Sequence, residues 1–234
     1  MGEVLEDRLL RDQNRIFEDR ADAGRKLAAF IRERVRIENG IVCAIPAGGV
    51  PVGIEIALAA GFPFTVAIVR KIQIPWNTEV GFGAVTWDGR VFLNEPFVTR
   101  LGLTKKEIEA AIEKTRENVR ARHEKYTRDR QMPPVEGKDV IITDDGLASG
   151  YTMYAAVQAI RSGSPRKVIV AVPTGSPGAI ALLKPETDCL VCLNIRTTYS
   201  FAVADAYQHW HDLSDEEIRV ELGRAKGAGI HRGE

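Results

Sequence analysis

Apolar and polar positions along this chain follow two alternating rhythms. Short runs rich in β-branched residues read as buried strands: Ile41–Pro46, Phe64–Arg70, Gly137–Asp145, Lys167–Pro173 and Cys189–Leu193. Between them, apolar residues recur at helical spacing. The stretch Asn14–Arg36 carries Ile16, Ala23, Leu27, Phe30 and Ile31, and AGGVPVGIEIALAAG (47–61) reads as a glycine turn running into a helix. A long helix is predicted from Thr104, with Glu107 completing a capping box and Ile108, Ile112, Thr115, Val119 and Tyr126 on its inner face. Shorter helices are predicted at Gly150–Arg161 and Pro177–Leu183. Strand–helix alternation of this kind specifies an α/β fold, a mostly parallel sheet with helices on both faces. Lys71–Asn94 breaks the rhythm: it reads as a long irregular loop holding one hairpin, GAVTWDGRVFLN, turned at Asp88-Gly89.

The 234 residues suit one domain, and 44% hydrophobic composition suffices for a core. Lys plus Arg and Asp plus Glu number 32 each, a formal net charge of zero. That balance speaks against a nucleic-acid binder, which relies on uncompensated cations. MGEVLEDRLLRDQNR is charged throughout, so no leader is expected there. No apolar run approaches the roughly 20 residues that cross a bilayer, and a soluble cytoplasmic protein is expected. Cys189 and Cys192 form a C-x-x-C, but residues three apart on a strand face opposite sides, which disfavours a chelate or redox pair. His209 and His211 lack the further ligands of a metal site and read as ordinary surface or core residues.

The chemistry concentrates at Val140–Thr152. In open α/β sheets ligands bind beyond the carboxyl ends of strands. Here a buried strand ends in Asp144 and Asp145, and Gly146, Leu147, Ala148, Ser149, Gly150, Tyr151 and Thr152 turn into a helix. The helix N-terminus offers N–H groups and positive dipole charge to a phosphate. Gly150 allows close backbone approach, while Ser149 and Thr152 can donate hydroxyl hydrogen bonds. The carboxylates would repel that phosphate, so they suit hydroxyls or hydrated Mg²⁺. A ligand with a monophosphate, a diol and a metal-bound second phosphate satisfies all these parts.

VIITDDGLASGYT resembles the motif of type I phosphoribosyltransferases that binds 5-phosphoribosyl 1-pyrophosphate (PRPP). PAGGVPVGIEIA, VRK, VFLNE, the helix after LGLT, and SDEEI extend the resemblance over nearly the whole chain, toward a largely uncharacterised subgroup. The resemblance implies one phosphoribosyltransferase domain over 1–234, with a core at about 40–193 and a hood from 1–39 and 194–234. It implies transfer of the phosphoribosyl group to a nucleobase-like nitrogen acceptor, release of pyrophosphate, Mg²⁺ as cofactor and a homodimer; a non-catalytic PRPP-binding regulator is the alternative. The backbone of Ala47, Gly48 and Gly49 would contact pyrophosphate through a cis bond or unusual dihedrals. Asp144 and Asp145 would hold the ribose hydroxyls and metal. Relatives usually carry Arg at the position of Ala47; Arg70 and Lys71 are the candidate replacements, or else solvated charges at a strand end. The 6-oxopurine enzymes carry an acid at the position of Ala148, so hypoxanthine and guanine are disfavoured. Lys71–Phe92 is expected to be a mobile cover, with Pro75 stiffening its entry. Phe201, Tyr207 and Trp210 are candidates for an acceptor pocket, or for core packing.

Overall fold

The computed structural model describes residues 2–74, 76–127, 131–198 and 200–230. In chain order its main elements are β1 (Glu3–Leu5), α1 (Arg20–Arg34), β2 (Gly40–Ala44), α2 (Gly49–Ala60), β3 (Phe64–Val66), β4 (Val69–Ile74), β5 (Asn77–Thr86), β6 (Val91–Leu93), α3 (Glu95–Leu101) and α4 (Lys105–Thr127). Then follow β7 (Asp139–Thr143), α5 (Tyr151–Arg161), β8 (Lys167–Gly175), α6 (Pro177–Leu183), β9 (Cys189–Ile195) and α7 (Asp215–Gly227).

Six strands make one parallel sheet in the order β1-β9-β8-β7-β2-β3. From β2 the chain winds through α2 outward to β3. From β7 it winds the other way, through α5, β8 and α6 to β9. The winding therefore reverses between β2 and β7, where Ala44 lies opposite Thr143. Such a reversal splays the two following loops apart and opens a crevice beyond the strand ends. Both strands are buried along their whole length, as expected for strands covered on two faces. One face packs against α1, α2 and α7, through Leu27, Ile54 and Ile218; the other packs against α5 and α6, through Met153, Val157 and Leu183.

This division splits the C-x-x-C: Cys189 belongs to the first face and Cys192 to the second. Burial pushes the Cys189 thiol up to about 11 and Cys43 up to about 12. At pH 8 the Cys189 thiolate is then about one part in a thousand, and the thiolate is the reacting species. Ellman's reagent at pH 8 should leave the native protein nearly unlabelled and consume all three free thiols in denaturant. Rapid labelling of two thiols before denaturant would contradict this burial.

The second predicted strand, Phe64–Arg70, is two strands. β3 ends at Val66 in the main sheet, and β4 begins a separate antiparallel sheet of order β4-β5-β6. The hairpin turn at Asp88-Gly89 is where it was expected: Gly89 has φ +81° and its N–H donates to Thr86 O at 2.9 Å. The rest of Lys71–Asn94 is not the irregular loop anticipated. Ile72, Phe82 and Val85 are fully buried with Val119 and Tyr126 of α4, while Val69 and Ala84 join Met153 of α5 on the opposite side. The small sheet is thus held between two helices. Pro75, expected to stiffen its entry, lies outside the described residues.

Other boundaries also moved. α1 starts at Arg20, not Asn14, because Asp19 caps it by accepting from the Asp22 N–H at 2.7 Å and Phe17 is drawn into a parallel bridge with Tyr207. β1 joins the main sheet beside β9, so residues 1–39 are not wholly a hood. The predicted helix α4 and its capping box are present: the Glu107 carboxylate accepts from the Thr104 N–H at 2.8 Å. Ile230, the last described residue, is tied back to the main sheet, since Phe64 N–H donates to its carbonyl at 2.8 Å.

Candidate functional site

The turn after β7 hangs from its neighbour β8. Leu147 is buried; its N–H donates to Thr174 O at 2.9 Å and its carbonyl accepts from Ser176 N–H at 2.9 Å. Anchored there, the chain passes through Gly150 at φ +79° and enters α5 with no side-chain cap. The N–H groups of Ala148, Ser149 and Gly150 donate to no described residue. Backbone donors left in this way at a helix start are a fitting anion cradle. A cleft of about 280 Å³ opens over them, lined by Asp144, Gly146–Gly150 and Thr152, by Ile45–Ala47 after β2, and by Arg70, Lys71 and Gln73 of β4. The sequence-predicted residues Tyr151, Gly48, Gly49 and Asp145 do not line it.

The loop after β2 contributes less than expected. Its cis peptide is Pro46–Ala47, one bond before the expected stretch. Gly49 N–H already donates to Ile45 O at 3.0 Å, so it is committed to the start of α2. Gly48 is needed for a different reason: a Cβ there would sit 1.8 Å from Asp145 Oδ2. The two glycines let the loop pass close to the acid pair.

The adjacent acids have different surroundings. Asp144 faces the cleft, and its Oδ1 accepts from the Asp145 N–H at 2.8 Å. Burial, and then the Asp145 charge, push the Asp144 carboxyl well above the usual carboxylate range. Asp145 turns instead toward α1, where Arg20 Nε donates to its Oδ2 at 2.9 Å. Burial raises the Asp145 carboxyl and the Arg20 charge opposes that rise. Arg20 is itself buried, donates to His211 O at 3.0 Å, and stacks on Trp210 at 3.8 Å from the ring centroid. Tyr207 OH donates to the Asp145 carbonyl at 2.6 Å. Sequence reasoning placed Arg20 only inside a predicted helix and missed this role. The available signal was Asp19, a preferred N-cap residue: a helix started there puts Arg20 in its first turn, where a positive charge opposes the dipole and needs another reason to be there.

Arg70 and Lys71 are neighbours in sequence, yet strand alternation separates them. Arg70 pairs with Val85 on the α4 side, and Lys71 with Ala84 on the α5 side. Lys71 therefore leaves the strand on the α5 side, its stem lying across Gly81, although both cations touch the lining of the cleft. Arg70 looks toward α4, where burial and the neighbouring Arg122 lower its pKa. Phe17, Tyr207 and Trp210 stack in series, at 5.6 and 5.1 Å between centroids, against the Arg20 clamp. Tyr207 is core, and Phe201 lies instead over Arg196 at 5.8 Å. His211 Nε2 meets Glu217 at 2.7 Å, and no cluster of three His, Cys, Asp or Glu suited to a metal occurs among the described residues.

A family model for the phosphoribosyl transferase domain matches residues 12–209. The chain belongs to that family. Relatives in two Mycobacterium tuberculosis strains, which carry a provisional phosphoribosyl transferase name, are each 36% identical over 211 residues. The match covers 90% of this chain and 47% of theirs, so the chain spans about half the length of the curated relatives it matches. Among solved structures, TT1426 from Thermus thermophilus superposes with a TM-score of 0.74 at 32% identity, covering 92% of this chain and 99% of that one. The parallel sheet with its flanking helices is the type I phosphoribosyltransferase fold, as the sequence motif implied. No described helix is long and apolar enough to cross a membrane.

Proposed function

We propose that the protein transfers the 5-phosphoribosyl group of PRPP to a nitrogen of a nucleobase-like acceptor and releases pyrophosphate. The observation that carries this reading is convergence: the uncapped start of α5, Asp144 and Lys71 meet in one cleft at the winding reversal. The 5-phosphate would sit on the Ala148–Gly150 N–H groups with the Ser149 and Thr152 hydroxyls. Asp144 would accept from the ribose hydroxyls. Asp145 supports the site from behind through Arg20, a narrower part than an equal share in the ribose.

Breaking the C1–O bond builds positive charge on the ribose and negative charge on the departing pyrophosphate. Lys71 would meet the latter, and Asp144 would face the former. Asp144, the carboxylate that lines the cleft, would hold Mg²⁺ together with the diphosphate of PRPP. When bound, Mg²⁺ would supply further charge neutralisation on the leaving group. Val203, packed on Gly146, brings the C-terminal segment to the cleft and is the candidate acceptor wall. A homodimer and the choice of acceptor belong to the same proposal.

Pyrophosphate release from PRPP and Mg²⁺, measured with a panel of nucleobases, tests the reading. Turnover with at least one base supports it. PRPP binding without release for any base supports the regulator alternative, which the alanine at 47 favours by removing a bidentate phosphate partner. No PRPP binding at all removes both. Lys71→Ala should lower kcat by about 100-fold or more while PRPP affinity changes by less than about 3-fold, as expected for charge used mainly in the transition state. Equal losses in both would make Lys71 a simple binding residue.

A further inference from the structure

A second cleft, of about 420 Å³, lies on the other side of β4, between that strand and α4. Its origin is a change along one face of the helix. Toward the C-terminal end, Thr115, Val119 and Tyr126 close the gap against the small sheet. One turn before Thr115 the helix presents Ala111, with the exposed Ala110 beside it, both too short to reach β4, and the space stays open. The walls are cationic. Arg70 looks in from β4 and Lys114 from α4, with Lys71 at the rim. The acid in the lining, Glu107, already accepts from the Thr104 N–H and hydroxyl at 2.8 and 2.7 Å, as part of the helix cap. Among the described residues neither Arg70 nor Lys114 forms an ion pair, although lysines and arginines elsewhere on α4 do. Burial and the like charge of Arg122 bear on Arg70, a situation that an anion would relieve.

The volume falls in the range of small-molecule sites and is larger than the donor cleft. Ile74, Ala110 and Ala111 give an apolar floor, and the Gln73 and Asn118 amides give a polar rim. We propose that this cleft is a second binding site, which takes a nucleotide-sized phosphorylated ligand with its phosphate on Arg70 and Lys114 and its ring against the alanine floor. Arg70, Lys71 and Gln73 line both clefts, so occupancy of the second changes the donor cleft, and the coupling is reciprocal. The coupling rests on the proposed PRPP reading; the binding does not.

Calorimetry on the whole chain, with ADP as the probe and pyrophosphate saturating the donor cleft, tests the site. ADP should bind one to one. Lys114→Glu, on an exposed side chain, and Ala111→Trp, which fills the floor, should each weaken ADP by about tenfold or more and leave pyrophosphate affinity within about twofold. ADP affinity unchanged in both variants, or no ADP binding at millimolar concentration, overturns the proposal. AMP binding as tight as ADP would identify the proposed reaction's product as occupant, whereas a strong ADP preference would identify an independent effector. The two readings fail separately. If wild type binds neither pyrophosphate nor PRPP but ADP still depends on Lys114, the second site stands and the donor assignment falls.

Discussion

Arg20→Ala lowers the unfolding midpoint by about 6–12 °C. Removing one partner of a buried ion pair leaves a charge that must be protonated or rehydrated, and costs about 3 kcal/mol. For a chain of this size each kcal/mol corresponds to roughly 2–4 °C. Asp145 has little freedom to escape, being wedged between the Gly48 backbone and the Tyr207 hydroxyl bonded to its carbonyl. Arg20→Lys should not restore stability, because an ammonium cannot combine the 2.9 Å contact to Asp145, the 3.0 Å contact to His211 O and the flat stack on Trp210. Adding Asp145→Asn to Arg20→Ala should recover part of the loss, since the stranded charge is then gone. A midpoint within 2 °C of wild type for Arg20→Ala, by calorimetry at neutral pH, would show that the pair contributes nothing to folding. A lower midpoint with no recovery in the double variant would assign the loss to packing on Trp210.

Gly48→Val weakens pyrophosphate binding by about 30-fold or more, roughly 2 kcal/mol or above. Gly48 has φ −61°, a conformation open to any residue, so the cost is steric alone. The added Cβ would lie 1.8 Å from Asp145 Oδ2 and 2.2 Å from its Cγ. Either the acid leaves Arg20 or the loop lifts, and lifting carries Pro46 and Ala47 out of the cleft wall. The same substitution in an Arg20→Ala background should have a smaller effect, because a released carboxylate can step aside. Wild-type pyrophosphate affinity in Gly48→Val would show that the close approach of loop and acid has no part in anion binding.

The elements that shape the cleft were legible where one local signal decided them. A buried strand ending in two acids, followed by Leu147 and Gly150, read correctly because strand run, turn residues and helix start agree in one stretch. Thr104 and Glu107 marked α4 by their own hydrogen bonds. Legibility failed where distant partners decide. Nothing between Phe64 and Arg70 announces that pairing changes after Val66, because the new partner, β5, is defined only by the hairpin that follows. Three residues of β1 carry no periodicity and are a strand only because β9 offers its edge. Asp145 was assigned the same task as Asp144 because neighbours in sequence share a motif; Arg20, 125 residues away, separates them. One miss was avoidable: Ser214 and Glu217 form a capping box, a start signal for α7 that was quoted only as part of the resemblance.

The alternation along β4 bears on how this family can vary. Arg70 and Lys71 are consecutive, yet one leaves the strand on the α4 side and the other on the α5 side. Both also touch the lining of both clefts, so a substitution at either cation is felt on the two sides of the strand. Inserting or deleting one residue between Val69 and Arg70 does something else: it turns every later side chain of the strand to the opposite face. Ile72 and Ile74 would exchange places with Lys71 and Gln73, placing apolar groups on the α5 side and an ammonium in the core shared with Phe82. Length in this strand should therefore be held far more tightly than identity, and homologous chains should align across it without gaps even where its residues differ.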